Sequence, residues 1–305
     1  MILKFKCEQI NEKHLFTEIA DSWAKEAFPQ LAYRTLSCYT AGLKHSKLYF
    51  EKAYIEDISH SEVKDYIENY LVAERNLAKK TVKNYRIVLS MIFKYAVVND
   101  IIQVNIVKDI SIPKGLREIP RELPTDSDIE KVKVFYNLDF GLFYYIVLFT
   151  GLRRGEVLAL EYEDFDWDNN LIRINKSIYH KHNKPILKTP KTDAGIRYVP
   201  FLEPLKKVIE KNKKGLLFCD ENGDYLIGSQ VELKIKKYQK TTGVNGTPHQ
   251  VRHEFATYLY EANLPDKDIS TILGHSDVST SKNIYVHIRK QQLMKSTNIL
   301  NEYLS

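Results

Sequence analysis

The stretch FGLFYYIVLFTGLRRGE, residues 140–156, says most about how this chain folds. Its first half is apolar on every side, which predicts a buried helix. The run is well short of the roughly 18 apolar residues that a membrane span needs. Gly151 breaks the helix, and Arg153 stands directly at the break. The stretch therefore predicts the core helix of a globular domain, ending beside an arginine.

On the N-terminal side of this stretch, the pattern is helical from about residue 14 to residue 107. The clearest helix covers residues 77–98, where one apolar stripe recurs at helical spacing. The stripe consists of Val82, Tyr85, Leu89, Ile92, Phe93 and Ala96. Lys79, Lys83 and Arg86 occupy a different face. Such a basic face suits a helix that lies along DNA phosphates, and a solubilising surface explains it equally well.

Proline and glycine mark a boundary between two parts of the chain. The segment SIPKGLREIPRELPTD, residues 111–126, carries three prolines and a glycine, a composition that favours an interdomain linker. Its Lys114 and Arg117 are candidates for contact with a DNA backbone. We therefore expect a short N-terminal segment (1–12), a helical domain (13–110), a linker (111–125) and a second domain (126–305).

The second half of the chain mixes helix and strand. Residues 170–179 and 186–200 alternate enough to be strands, with turns near residues 182–183 and 192–195. Helical pattern returns from residue 202 and dominates after residue 247. The expected fold class is mainly α, with a small antiparallel β-sheet in the second domain.

The composition is that of a globular protein with a basic balance. The chain has 305 residues and a net charge of +6, which is compatible with nucleic-acid binding without demonstrating it. Its three cysteines are widely separated and form no CxxC pair, so neither a disulfide framework nor a zinc site is expected. No secretory signal is recognisable, and a reducing cytoplasm fits these features.

Four segments contain residues that could carry chemistry, and two of them precede residue 201. Arg153 follows the core helix. Lys191, in LKTPKTDAGIRYVP at residues 187–200, lies where one strand gives way to a tight turn, after which residues 197–200 resume the ladder. Considered separately, an arginine at a helix end and a lysine at a hairpin tip are usually surface residues.

The other two segments lie nearer the C-terminus. His249 and Arg252 stand at i and i+3 of a helix and therefore share one edge of it, although a helix cap and a salt bridge would explain them too. Gly274 is expected to end a helix and to expose His275 in the turn. Tyr285 is one of 20 tyrosines, most of which are expected to pack in cores.

Taken together and in this order, the segments TGLRRGE, KTDAGIRYVP, HQVRHEFAT, LGHSD and IYVH resemble the signatures of the tyrosine recombinase family, also called phage integrases. The resemblance covers about residues 14–300, and its specific part is residues 150–287. It implies a two-domain DNA clamp, made of a helical core-binding domain and an α+β catalytic domain. It also implies site-specific recombination of duplex DNA through a 3′-phosphotyrosyl intermediate. The implied partners are a recombination site in double-stranded DNA, further copies of the chain in a homotetramer on DNA, and accessory DNA-bending proteins or a directionality factor.

The resemblance assigns a role to each candidate residue. Arg153 and Arg252 match the two catalytic arginines, Lys191 the hairpin lysine, His249 the histidine of His-x-x-Arg, His275 the histidine of the Gly-His turn, and Tyr285 the nucleophile. Lys188 is the rival for the lysine role and is otherwise a candidate DNA contact. Glu156, one turn after Arg153, is interpreted as structural, orienting that arginine or capping a helix.

These residue types suit phosphoryl transfer. Two arginines and a histidine donor would bind the phosphate oxygens and stabilise a pentacoordinate transition state. A tyrosine with a pKa near 10 needs surrounding cations to become a nucleophile, and His249 could accept its proton. Lys191 would protonate the leaving 5′ oxygen. The phosphotyrosyl bond conserves the energy of the phosphodiester, so neither ATP nor a metal is expected, and no GxxxxGK[ST] phosphate loop occurs.

Two other functions use the same features. A type IB topoisomerase-like enzyme would nick and close DNA with the same residues, and a catalytically silent regulator could keep only the fold. We expect a recombinase that acts at the nucleoid in the cytoplasm of a bacterial cell, and its task is phage-type integration, transfer of a conjugative element or resolution of chromosome dimers. Only about 12 residues precede the helical region, so we expect no additional N-terminal domain for distant DNA sites.

Overall fold

The computed structural model describes residues 13–118, 124–189 and 196–274. The chain forms two compact units that divide near residue 120. The expected N-terminal segment at residues 1–12 lies outside the described residues. In the described ranges, no helix is both long enough and apolar enough to cross a membrane.

The first unit consists of helices around one apolar core. Its helices are α1 (Phe16–Ala27), α2 (Tyr33–Tyr49), α3 (His60–Asp65), a π-helix that continues α3 (Tyr66–Glu74) and α4 (Lys79–Val98), with 3-10 turns at Phe28–Gln30 and Ile106–Asp109. The six apolar residues of the predicted stripe on α4 are all buried. Gly42 permits the close approach of α2, because a Cβ there would lie 3.0 Å from Cγ2 of Val88. The predicted helix at residues 77–98 and its buried apolar stripe are confirmed.

The basic face of α4 divides into two kinds of residue. Lys79 and Lys83 are exposed, and Lys79 pairs with Glu118 at 2.5 Å. Arg86 is only partly exposed. Its guanidinium donates to the carbonyl oxygens of residues 107, 108 and 110, at 3.1, 3.0 and 2.6 Å. Arg86 therefore ties α4 to the 3-10 turn that follows it, where the sequence alone suggested a contact with DNA.

The first part of the predicted linker packs on the helical unit. Ile112 and Leu116 lie against its core, and the backbone N–H of Lys79 donates to the carbonyl oxygen of Arg117 at 3.0 Å. Lys114 and Arg117 themselves are exposed. Ile112 and Leu116 thus keep the chain on the first unit beyond residue 110, the boundary that the sequence suggested.

The second unit surrounds the predicted core helix with further helices and strands. The helices are α5 (Asp126–Val134), α6 (Gly141–Thr150), α7 (Arg154–Val157), α8 (Glu203–Lys206), α9 (Gly228–Thr242), α10 (Pro248–Glu261) and α11 (Asp266–Leu273). The strands are β1 (Phe165–Asp166), β2 (Leu171–Ile174), β3 (Ser177–Lys181), β4 (Lys184–Lys188) and β5 (Arg197–Pro200). Nearly all of α6 is buried. The expected class, mainly α with a small antiparallel β component, is confirmed.

Two glycines let backbones meet in this unit. Gly151 ends α6 with φ +61°, and a Cβ there would lie 2.5 Å from Cδ1 of Phe255 in α10. Gly155 lies in α7, and a Cβ there would lie 2.2 Å from the carbonyl oxygen of Ile178 in β3. Since the second contact is with backbone, α7 and β3 touch without an intervening side chain.

The strands form two antiparallel ladders. One sheet has the order β1-β2-β5, and the other consists of β3 and β4. The turn of the β3–β4 hairpin is His182-Asn183, where both residues have positive φ, as two-residue hairpin turns often require. The predicted turn at residues 182–183 is confirmed.

Residues 197–200 resume antiparallel pairing with the strand region predicted at residues 170–179, as expected, but in a shifted register. β4 pairs with β3 in the register Ser177↔Lys188, whereas β5 pairs with β2 in the register Ile174↔Arg197. The chain has two residues between β2 and β3 (175–176). It has eight residues between β4 and β5 (189–196). Residues 190–195, which include Lys191, lie outside the described residues.

We expect Arg86→Met to lower the free energy of unfolding of the full chain by about 2 kcal/mol, because three backbone carbonyls lose a charged donor. Lys83→Met, an exposed position on the same helix, is the control and should change it little. Urea unfolding followed by circular dichroism measures both. Equal stability of the two variants would contradict a structural role for Arg86.

Candidate active site

The end of the core helix places Arg153. Gly151 adopts a left-handed conformation after α6, and its missing Cβ also leaves room for Leu273, whose Cδ2 would otherwise be 2.9 Å away. Arg153 is the N-cap of α7, and its N–H donates to Oε2 of Glu156 at 2.8 Å. This acid at the third helical position caps the helix as in a capping box. The predicted structural role of Glu156 is confirmed.

Glu156 is also the acid of a partly buried ion-pair cluster. Its carboxylate accepts from Nη1 of Arg153 at 3.0 Å, and from Nη1 and Nη2 of Arg197 at 2.9 and 2.7 Å. Burial would raise the pKa of Glu156, but the hydrogen bonds and charge of Arg197, with those of Arg153, hold the pKa below its usual value. The carboxylate thus remains ionised and fixes two guanidinium groups.

Three arginines meet the last turn of α11. The carbonyl oxygens at the end of a helix lack intrahelical partners and carry partial negative charge. Arg197 Nε donates to Ile272 at 3.3 Å, Arg252 Nη2 to Leu273 at 2.6 Å, and Arg153 Nη2 to Gly274. We call these three side chains, on the carbonyls of residues 272–274, the arginine clamp. It holds the residues that directly precede His275.

Arg252 is the most buried member of the clamp. Only 5% of the residue is exposed, and its Nη1 has no hydrogen-bond partner among the described residues. Burial, together with the charge of Arg153, lowers the pKa of Arg252 to about 10, so the guanidinium is still charged at neutral pH. A buried charged donor without an acceptor is costly. Its presence beside the more exposed Arg153 is what a site for an anionic group requires.

The first turn of α10 carries the histidine of this site. Thr247 caps the helix through Gln250, and Pro248 occupies its first position. His249 is exposed, and its ring lies edge-on to that of His253 with centroids 4.7 Å apart. Three residues on, Arg252 turns into the protein, so the shared edge has an outer histidine and an inner arginine.

The structure brings together Arg153, Arg252 and the residue preceding His275. Lys191, His275 and Tyr285 lie outside the described residues. Lys188 is exposed at the end of β4, opposite Ser177. The sequence analysis gave no role at the site to Arg197, whose partners Glu156 and Ile272 lie 41 and 75 positions away along the chain. The only signal for it was a charged residue beginning a strand next to the Lys191 segment.

We expect Glu156→Gln to lower the free energy of unfolding by about 3 kcal/mol at neutral pH, because both arginines lose a buried ionised partner. The folded-state pKa is below the unfolded value, so this stabilisation is present above about pH 4.3 and is lost as the pH falls through the folded-state pKa.

The difference in unfolding free energy between the wild type and Glu156→Gln should therefore shrink on acidification, as measured by urea titrations at several pH values. Glu221→Gln is the control, because this exposed side chain belongs to none of the ion pairs or hydrogen bonds found among the described residues. A difference for Glu156→Gln that stays constant at acid pH would contradict the ionised pair.

The chain is similar to known proteins over most of its length. Residues 138–292 match the model of the phage integrase family, and residues 24–103 match the phage integrase N-terminal SAM-like domain. Over 87% of its length, the chain is 28% identical to a tyrosine recombinase XerC-like protein of Caldanaerobacter subterraneus, covering 75% of that protein. Over 86% of its length, it is 28% identical to the ICEBs1 integrase of Bacillus subtilis, again covering 75%.

Among solved structures, the fold is similar to that of the Tn1549 transposon integrase in complex with a circular intermediate DNA. The TM-score is 0.70 at 23% identity, over 88% of this chain and 94% of that one. The family model covers half of the chain and includes every member of the arginine clamp. This chain belongs to the phage integrase family of tyrosine recombinases, and it is an enzyme of site-specific DNA recombination.

Proposed function

We propose that this recombinase cuts DNA by attack of Tyr285 on a phosphodiester bound between Arg153, Arg252 and His249, with Lys191 and His275 completing the site. The observation that carries the proposal is the buried Nη1 of Arg252, which has no hydrogen-bond partner among the residues that the structure describes. A non-bridging phosphate oxygen supplies the charged acceptor that this donor lacks.

The arginines stabilise the charge that develops during attack. Arg153 is the accessible member, with 47% of its side chain exposed, whereas Arg252 is buried and held by the carbonyl of Leu273. Their guanidinium groups are thus oriented before DNA arrives, which favours the transition state over the ground state. Loss of one such donor typically costs about 3 kcal/mol, on the order of a hundredfold in rate.

The chemical step conserves the phosphodiester energy. The phenolate of Tyr285 forms a bond to phosphorus, and the bond from phosphorus to the 5′ oxygen breaks. The tyrosine proton passes to His249, and the 5′ oxygen receives a proton from Lys191. The product is a 3′-phosphotyrosyl bond and a free 5′ hydroxyl. Attack by a 5′ hydroxyl from a second duplex reverses the step and joins the new strands without ATP.

Contacts with DNA outside the reacting phosphate come from exposed basic residues. Lys79, Lys83, Lys114 and Arg117 of the helical unit are exposed, and we propose that they bind backbone phosphates of a core site. Lys188 of β4 is proposed for the same task in the second unit. Arg86, whose donors already bind three carbonyl groups, contributes mainly by holding α4 in place.

The enzyme acts on double-stranded DNA. We further propose a specific recombination site, a homotetramer on two such sites, and help from DNA-bending proteins or a directionality factor. Exchange between chromosomal sites would take place at the nucleoid, in the cytoplasm of a bacterial cell. The mobile-element names of several relatives, such as the transposase from transposon Tn916 of Enterococcus faecalis, support a role in DNA integration.

We expect wild-type protein to become covalently linked to a nicked suicide duplex, and Tyr285→Phe to form no such link, because phenylalanine has no nucleophilic oxygen. The probes are short nicked duplexes that together cover the DNA on both sides of the gene. A denaturing gel of labelled DNA detects the covalent link. Tyr260→Phe is the control. Covalent capture by Tyr285→Phe would refute the assigned nucleophile, and capture by neither protein would favour a silent regulator.

We expect Lys191→Ala to slow cleavage on the order of a hundredfold, because the 5′ oxygen loses its acid. A bridging 5′ sulfur leaves without protonation, so a substrate with that substitution should restore the rate. Lys188→Ala is the control and should weaken DNA binding without being rescued. Rescue of Lys188→Ala in place of Lys191→Ala, measured by single-turnover cleavage, would reverse the two assignments.

A further inference from the structure

Each of the three guanidinium nitrogens of Arg197 donates a hydrogen bond inside the protein. Nη1 and Nη2 bind both carboxylate oxygens of Glu156, and Nε donates to the carbonyl oxygen of Ile272. Its Cζ would lie 2.8 Å from a Cβ on Gly274, so the guanidinium packs directly against that glycine. The side chain of Arg197 is 15% exposed, whereas that of Arg153 is 47% exposed, so Arg197 is the more buried of the two.

Arg197 thereby joins three parts of the site. Through Glu156 it contacts the first turn of α7, and Arg153 is the N-cap of that helix. Through Ile272 it contacts the end of α11, which precedes His275. It is also the first residue of β5 and follows the segment that contains Lys191. The side chain of Arg197 thus connects chain segments that lie next to Arg153, Lys191 and His275, three residues assigned to the reaction.

We propose that Arg197 is a positioning residue for strand cleavage, which sets the location of Arg153 and of residues 272–274 relative to the scissile phosphate. This inference rests on the proposed function of the site. Arg197 does not itself touch the phosphate in this proposal, since each of its three guanidinium nitrogens is turned to Glu156 or to the end of α11 and 15% of its side chain is exposed.

The chemistry of the pocket requires arginine at this position. A guanidinium presents a planar fork that meets both oxygens of a carboxylate, and its Nε–H remains for a third acceptor. A lysine ammonium would bind one oxygen of Glu156 as a point charge and could not hold the carbonyl of Ile272 in the same geometry. Without a cation at position 197, the buried carboxylate of Glu156 would have Arg153 as its one remaining guanidinium partner in the clamp. Arg153 would then be drawn away from the DNA.

The test separates reaction rate from DNA affinity. Arg197→Met and Arg197→Lys are compared with the wild type on the nicked duplex that the wild-type protein captures. Single-turnover formation of the covalent complex at saturating protein gives the rate, and fluorescence anisotropy gives the dissociation constant. Arg173→Met is the matched control, because Arg173 lies on the neighbouring strand β2, pairs with Asp164 at 3.6 Å and makes no hydrogen bond with α11 among the described residues.

We expect Arg197→Met to lower the cleavage rate on the order of 10- to 100-fold, with little change in the dissociation constant, because misplacement of a bound group affects mainly the chemical step. Arg197→Lys should regain part of the rate. The double variant Glu156→Gln/Arg197→Met should lose less than the product of the two single losses, because the residues act through one contact. Arg173→Met should cleave at the wild-type rate.

The outcomes are distinguishable. Cleavage by Arg197→Met at the wild-type rate, or a rate loss matched by an equal loss of affinity, would overturn the positioning role while leaving the proposed function intact. If Arg197→Met does not fold, as judged by circular dichroism, the rate and affinity of Arg197→Lys decide by the same criteria. If the wild-type protein captures none of the duplexes, or Tyr285→Phe captures them, the proposed function fails and this inference with it.

Discussion

The structure of the second unit depends on how the last turn of α11 is held. Three carbonyl groups that a helix leaves without partners each receive an arginine, at residues 272, 273 and 274. Such an arrangement would gather three positive charges around one helix end, and the ionised carboxylate of Glu156 offsets part of that repulsion. The result is a set of cations whose geometry is fixed by backbone atoms and by one acid. A phosphate can then be bound without much rearrangement of the protein.

The clamp depends in turn on close packing between helices. Gly151 allows α6 to end against Phe255 and Leu273, so the helix that begins at Pro248 and the helix that ends at Leu273 lie beside the start of α7. A Cβ at Gly151 would lie 2.5 Å from the side chain of Phe255 and 2.9 Å from that of Leu273, so these side chains would have to move away. The residues that carry charge are therefore positioned by residues that carry none.

Local patterns were predictable from the sequence, and distant pairings were not. The stripe on α4 follows from spacing within one helix, and the His182-Asn183 turn follows from residues that tolerate positive φ. The pairing of β5 with β2 depends on partners more than 20 positions apart. Periodicity within a strand does not encode the shift in register between the β3–β4 ladder and the β2–β5 ladder. The role of Arg86 was missed for the same reason, because its acceptors lie 21 to 24 positions away.

The contact between Gly155 and Ile178 has a mechanical consequence. Because α7 and β3 touch through backbone, the β3–β4 hairpin cannot slide past Arg153 without breaking the helix turn that Arg153 begins. The hairpin is also held from its other side, where Nε2 of His180 donates to the carbonyl oxygen of Leu226 at 2.9 Å. The hairpin and the start of α7 are therefore in direct backbone contact. A displacement of the hairpin would also displace the turn at which Arg153 is fixed.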